Sequence, residues 1–187
     1  METFLKYLLI TIKQYNQLWS ERECVAYITL MALVVIVSAI CVVKGRFTLG
    51  RAVAVCLLMS CIWHMLAVTL FTRYTLHSST FRFLLIKDMR DFFAGNIQVQ
   101  VPIYMNMVLF VPFGMLLNPV FTGRVRLHHA VIAGFLGSLY IESMQYVMRR
   151  GIFDVTDLIT NTLGCVIGWS VTYVFTQIMK RCLAVKG

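Results

Sequence analysis

The sequence predicts an all-α integral membrane protein: a five-span helical bundle with an N-terminal amphipathic helix and an interfacial helix between spans 2 and 3. Three observations carry that prediction. The chain of 187 residues is 59% hydrophobic and 13% charged, with a mean hydropathy of +0.79, more apolar surface than a soluble domain of this size can bury. Five stretches nearly free of charge, 24–43, 52–72, 102–121, 130–148 and 158–179, are long enough to cross a hydrocarbon core of roughly 30 Å. The remaining long segments, 1–20 and 81–93, are amphipathic at helical period instead of uniformly apolar. The spans together define one membrane domain, 24–179.

In residues 1–20, Leu5, Leu8, Leu9, Ile12, Tyr15 and Trp19 line one helical face, while Glu2, Lys6, Lys13, Gln17 and Ser20 line the other. That is the pattern of a helix lying in the membrane interface. No small-residue cleavage site follows it, so it reads as neither a signal peptide nor a further span. The first span contains no charge, and the second is interrupted only by His64, a lone imidazole suited to packing with one hydrogen bond. Between spans 2 and 3, the segment Phe81–Phe93 gathers Leu85, Met89, Phe92 and Phe93 on one side, and Arg82, Lys87, Asp88, Arg90 and Asp91 on the other. This interfacial or partly re-entrant helix either roofs a polar site or rests on lipid head groups.

The third span places Pro112 near its midpoint, where a helix loses one donor and the carbonyl of Val108 is disturbed; Gly114 weakens the same turn. Asn106, one and a half turns earlier, is either glue between helices, worth ~0.6–2 kcal/mol, or part of a polar pocket. In the fourth span Glu142 is the one charge, and the fifth has none. Gly164 and Gly168 form a small-xxx-small pair that favours close helix packing.

The formal charge of +9 sits in loops around an apolar core, which suits anionic lipid head groups and gives no reason to expect nucleic acid. The cysteines at 24, 41, 56, 61, 165 and 182 lie in or beside spans without CxxC or Cys/His spacing. They are expected to be small apolar core residues and not a zinc site, and no metal or other cofactor is expected. One side of the membrane collects the Lys and Arg residues 6, 13, 22, 73, 82, 87, 90, 149 and 150; the other collects 44, 46, 51, 124, 126, 180, 181 and 186. The second set lies in shorter segments with no acid among them, so the positive-inside preference places that side in the cytoplasm.

An ionised carboxylate near the bilayer centre costs roughly 2.5–3.5 kcal/mol on insertion scales. Glu142 and Asp157 therefore oppose insertion unless they pair, take up a proton or face water. At 100° per residue, Ser138, Glu142, Gln145 and Arg149 fall on one face of one helix. After a short turn, Asp154, Asp157, Asn161, Gly164 and Gly168 fall on one face of the next. With Asn106, Gln145, Arg149, Arg150, Asp154 and Asn161, the two acids form the expected functional cluster, an ion-pair network able to shape a groove for a lipid or a lipid-linked head group. The structural alternative is an internally paired staple of the hairpin.

The motifs Asn106-x-x-Leu109-Phe110-x-Pro112-x-Gly114, Glu142-x-x-Gln145 and Arg149-Arg150-Gly-Ile-Phe-Asp154-x-x-Asp157-x-x-x-Asn161-x-x-Gly164-x-x-x-Gly168 resemble those of the VanZ-like family of membrane proteins. An upstream Asn-Leu-x-Pro-Phe element common in that family is replaced here by Arg82-Phe-Leu-Leu-Ile-Lys-Asp88, without the proline. The resemblance implies a multi-pass protein of the bacterial cell membrane that lowers susceptibility to teicoplanin and related lipoglycopeptide antibiotics at the cell envelope. It would do so without changing peptidoglycan precursors. The implied partners are membrane lipids, with lipid-linked cell-wall intermediates or the lipoglycopeptide as ligand, and no settled catalytic mechanism comes with the family. The residues leave two other functions open. A membrane enzyme acting on a lipid or lipid-linked intermediate would use Glu142 or Asp157 as general acid or base and Arg149 or Arg150 for phosphate, although no Ser/His, Cys/His or metal constellation is evident. A small transporter would bind its solute beside the same acids, although no internal repeat is present.

Overall fold

The computed structural model describes residues 2–15, 17–78 and 80–184. Helix α1 (Glu2–Tyr15) takes up the amphipathic N-terminal segment, with Leu5 and Leu9 exposed and Phe4 edge-on to Tyr104 at 6.0 Å. The side chains of Glu2, Ile12 and Tyr15, on which its expected faces partly rest, lie outside the described residues, as does Lys186. Helix α2 (Glu21–Val43) starts with a capping box: the Glu23 N–H donates to Ser20 Oγ and the Ser20 N–H to Glu23 Oε2, satisfying two donors that the first turn leaves free. Helix α3 (Leu49–Leu66) continues without a break into a π-helical turn, Ala67–Phe71. His64 bonds the Ser60 carbonyl through Nδ1 at 2.8 Å and packs against Trp19 and Tyr27.

The long connection that follows contains a two-residue strand β1 (Phe81–Arg82) and helix α4 (Leu85–Phe93). Then come α5 (Ile97–Val120), α6 (Leu127–Val147), strand β2 (Phe153–Asp154) and α7 (Val155–Ala184). Among the described residues, four helical segments are long and apolar enough to cross a membrane: Glu21–Val43, Leu49–Phe71, Ile97–Val120 and Val155–Cys182. The pattern predicts a fifth span at 130–148. That stretch is helix α6, but Ser138, Glu142, Ser143 and Gln145 lower its hydropathy and keep it out of this set. Helix α5 is helical through Pro102, Pro112 and Pro119; the disturbance expected at Pro112 removes one donor without ending the helix. Nor are the cysteines uniformly core residues: Cys165 is buried, Cys182 is exposed and the other four are half-buried.

The centre of the bundle is the crossing of α5 and α7. A Cβ on Gly164 would overlap the Met107 carbonyl, one on Gly168 that of Val111, and one on Gly114 that of Cys165. Only glycine lets the two backbones approach this closely. Phe110, Leu117, Ala130, Ile141, Cys165 and Trp169 form the core around the crossing, with Met65 of α3. The Cys165 thiol donates to the Ala130 carbonyl at 3.3 Å, drawing α6 onto α7.

The two ends of the bundle are tied differently. At one, Arg51 Nε donates to the Val120 carbonyl at 2.9 Å and Trp169 Nε1 to the Val125 carbonyl at 3.1 Å. At the other, the Leu76 N–H donates to the Arg149 carbonyl at 2.6 Å, and β1 pairs in parallel with β2, Phe81 opposite Phe153 and Arg82 opposite Asp154. That pairing positions the polar site.

Candidate functional site

The site begins where α6 stops. The Arg150 N–H returns to the Gln145 carbonyl at 2.8 Å and the Arg149 N–H to the Tyr146 carbonyl at 3.2 Å, the pattern of a Schellman cap. The residue in its left-handed position is Arg149, with φ 54°, where glycine is the usual occupant. The helical face expected to run from Ser138 to Arg149 therefore ends at Val147. Arg149 is exposed and lies apart from the other site residues. Asp154 likewise precedes α7 instead of sharing its face: it sits in β2 and caps the helix, its Oδ1 accepting from the Thr156 N–H at 2.9 Å, which satisfies one of the free donors of the first turn.

Around this turn the structure gathers Glu142, Asp154, Asp88 and Arg82. Glu142 Oε2 accepts from the Asp154 N–H at 3.0 Å. Arg82 donates through Nη1 to Asp154 Oδ2 at 2.9 Å and through Nη2 to Asp88 Oδ1 at 2.6 Å, and Thr156 Oγ1 donates to Asp88 Oδ2 at 2.8 Å. Both Asp carboxylates are nearly inaccessible, at 3% and 9%, while Arg82 is 40% exposed. Arg82, Asp88 and Thr156 were not expected in the site. Arg82 and Asp88 leave a trace in the sequence only as charges on the polar side of the 81–93 segment, where nothing shows which charges turn inward, and Thr156 leaves none.

One turn deeper, Asn161 Nδ2 donates to Ser138 Oγ at 2.8 Å, and Ser138 Oγ donates to the Asp157 carbonyl at 3.4 Å. Ser138, Glu142, Gln145 and Asn161 are all buried. The Asp157 carboxylate lies within reach of the Asn106 side chain on α5, with Asp154, Arg73 and Arg82 close enough to act on its charge. Glu142 in turn lies near Asp157, Asp154 and Arg73. Two buried polar atoms here, Asn161 Oδ1 and Arg73 Nε, have no hydrogen-bond partner among the described residues.

Gln145 and Arg150 point the other way, to the π-helical turn of α3. Gln145 Nε2 donates to the Thr69 carbonyl at 3.1 Å, and Arg150 Nη1 donates to the carbonyls of Leu70, at 2.6 Å, and Phe71. These are acceptors that a helix end leaves unsatisfied, so Arg150 is a cap for α3. Gly151 fits beneath Gln145, where any side chain would meet the amide. The structure thus brings together Asn106, Glu142, Asp154, Asp157 and Asn161, uses Gln145 and Arg150 to hold α3 against them, and leaves Arg149 outside. Pro112, Gly114, Gly164 and Gly168 lie on the α5–α7 pair, the glycines at its closest approach. Among the described residues, no group of three or more His, Cys, Asp or Glu is disposed to hold a metal ion. What the arrangement offers is buried carboxylates, amides and hydroxyls beside one end of an apolar bundle.

The profile of the VanZ/LLP1 family matches residues 24–176, a range that contains every one of these groups. Protein VanZ of Enterococcus faecium is 36% identical to the chain over 75 residues, which is 40% of this chain and 44% of that protein. The alignment therefore spans less than half of that relative's length. No solved structure matches the chain. With the family profile covering most of its length, from the start of α2 far into α7, this membrane protein belongs to the VanZ/LLP1 family.

Proposed function

We propose that this is a multi-pass protein of the bacterial cell membrane, with α6 as its fifth span, that lowers susceptibility to teicoplanin-type lipoglycopeptide antibiotics. It acts at the cell envelope through the polar site where α6, α7 and the β1–α4 segment meet. One observation carries this reading: an apolar groove adjoins, through the chain, the bonded network of Arg82, Asp88, Asp154 and Thr156. The groove, about 650 Å³ in volume, is lined by Phe83, Leu84, Leu85, Ile86 and Val155 and flanked by Lys87 and Arg90. Its neighbours in the chain, Arg82, Asp88, Asp154 and Thr156, are the bonded groups of the site. An amphiphile with a polar head and an acyl tail meets both environments there within a few residues.

Membership of the family supports the same reading. The partners are membrane lipids together with a lipid-linked cell-wall intermediate or the lipoglycopeptide itself. Glu142 and Asp157, with Asn106 and Asn161, hold the polar part. Arg150 serves the architecture, since its guanidinium is engaged on α3 carbonyls.

The test is teicoplanin susceptibility in a sensitive Gram-positive host carrying empty vector, wild type, Glu142→Gln or Asp157→Asn, with membrane levels quantified. Wild type protects and both variants lose protection at equal abundance. Protection retained by Asp157→Asn, or none from well-expressed wild type, overturns the proposal.

A further inference from the structure

We propose a second site at the opposite end of the bundle: the turn between α5 and α6 binds the phosphate of an anionic phospholipid. A cavity of about 620 Å³ lies there, and Arg124, Arg126, Trp169 and Tyr173 are among the residues that line it.

The turn's backbone puts both arginines on one wall. Helix α5 ends with Thr122 and Gly123 in the left-handed region, at φ 56° and 75°, and the Gly123 N–H returns to the Asn118 carbonyl at 2.8 Å, which reverses the chain. Val125 then packs against the core, and Arg126 is extended at φ −98°, ψ 166°. Successive side chains of an extended segment alternate in direction, so Arg124 and Arg126 share the side away from the core. The floor is fixed as well. The Trp169 indole N–H is held by the Val125 carbonyl at 3.1 Å, and its ring stacks on Tyr173 with centroids 5.0 Å apart.

Charge decides the ligand. Both arginines are exposed, and neither forms an ion pair among the described residues. The connections 44–51 and 122–129 and the end of α7 contain no Asp or Glu, so the counter-ion comes from outside the protein. Arg51, another cation at this end, is engaged on the Val120 carbonyl and lies over the Phe47 ring. Two forked guanidiniums match the oxygens of a phosphate, and Trp and Tyr are the side chains that settle at head-group depth. A zwitterionic lipid would bring its own cation against this wall. A phosphatidylglycerol-type head group would not, and its glycerol and acyl carbons would lie along Leu127 and Tyr173, both of which line the cavity.

Native mass spectrometry of the full-length protein from mixed micelles of phosphatidylglycerol and phosphatidylcholine tests this. Wild type retains phosphatidylglycerol selectively. The variant R124Q/R126Q weakens that retention about thirtyfold, which is ~1 kcal/mol for each basic residue near an anionic surface at 1.4 kcal/mol per factor of ten. The control K180Q/R181Q removes the same charge from exposed positions at the same end and keeps the lipid. Three results would overturn the proposal: no lipid preference in wild type, equal losses in the two double variants, or displacement of the lipid by excess inorganic phosphate, which would make this a simple anion site.

Discussion

Replacing Arg82 with methionine strikes the polar site where its two halves join. The guanidinium bonds Asp88 at 2.6 Å and Asp154 at 2.9 Å, and those carboxylates are 3% and 9% exposed. A hydrogen bond to a charged group contributes about 1.5–3 kcal/mol, so two would give about 3–6 kcal/mol. Arg82 is itself 40% exposed, and water and salt recover part of that sum. The expected cost of Arg82→Met is therefore about 2–3 kcal/mol, most of it from leaving two buried carboxylates without their cation. Reversible unfolding in detergent micelles measures it. The triple variant R82M/D88N/D154N should recover most of the loss, because the amides carry no charge and asparagine caps a helix as well as aspartate does. A loss below about 0.5 kcal/mol, the range of an exposed pair, would refute the reasoning. So would a triple variant no more stable than Arg82→Met.

Two further substitutions probe the frame with the same assay. Gly164→Ala should cost about 1–3 kcal/mol by driving α5 and α7 apart, while Gly50→Ala, whose added methyl would meet nothing within 4 Å, should cost nothing; equal effects would remove the close crossing as the reason for the glycine. Arg149→Gly should stabilise the protein by about 1 kcal/mol by relieving a left-handed backbone, and a loss of stability would mean that the Arg149 side chain makes a contact that outweighs the strain.

Periodicity was the legible part of this protein. Glu142, Asp157, Asn161, Gly164 and Gly168 stand at helical spacing inside apolar runs, and that alone marks them. The end of α6 was legible to within a residue, span 130–148 against Leu127–Val147, but the place of Arg149 was not, because the cap uses it where glycine is usual. Nor was the join between Arg82, Asp88, Asp154 and Thr156. It spans 72 residues in one bond and 68 in another, through a strand pair only two residues long. No hydrophobic alternation can appear in so short a strand. The π-helical turn at Ala67–Phe71 leaves no trace in composition, although it presents the carbonyls that Gln145 and Arg150 bind. Pro112 misleads in the opposite sense: propensity measured on isolated helices argues for a break, and burial of α5 against α7 holds the backbone helical across it.

The parallel pairing of β1 with β2 also sets the order of biogenesis. Arg82 leaves the ribosome 72 residues ahead of the aspartate it needs. While α5 and α6 are being made, Arg82 and Asp88 have only each other, water and head groups for company, and the exposed Ile86 and Phe93 of α4 suit that helix to a bilayer surface. The carboxylate cluster closes when α7 enters the membrane and delivers Asp154 and Thr156. A chain stopped ahead of β2 thus carries most of these helices with the cluster unclosed, and a fault in α7 leaves the carboxylates of the earlier helices without Asp154 and Thr156.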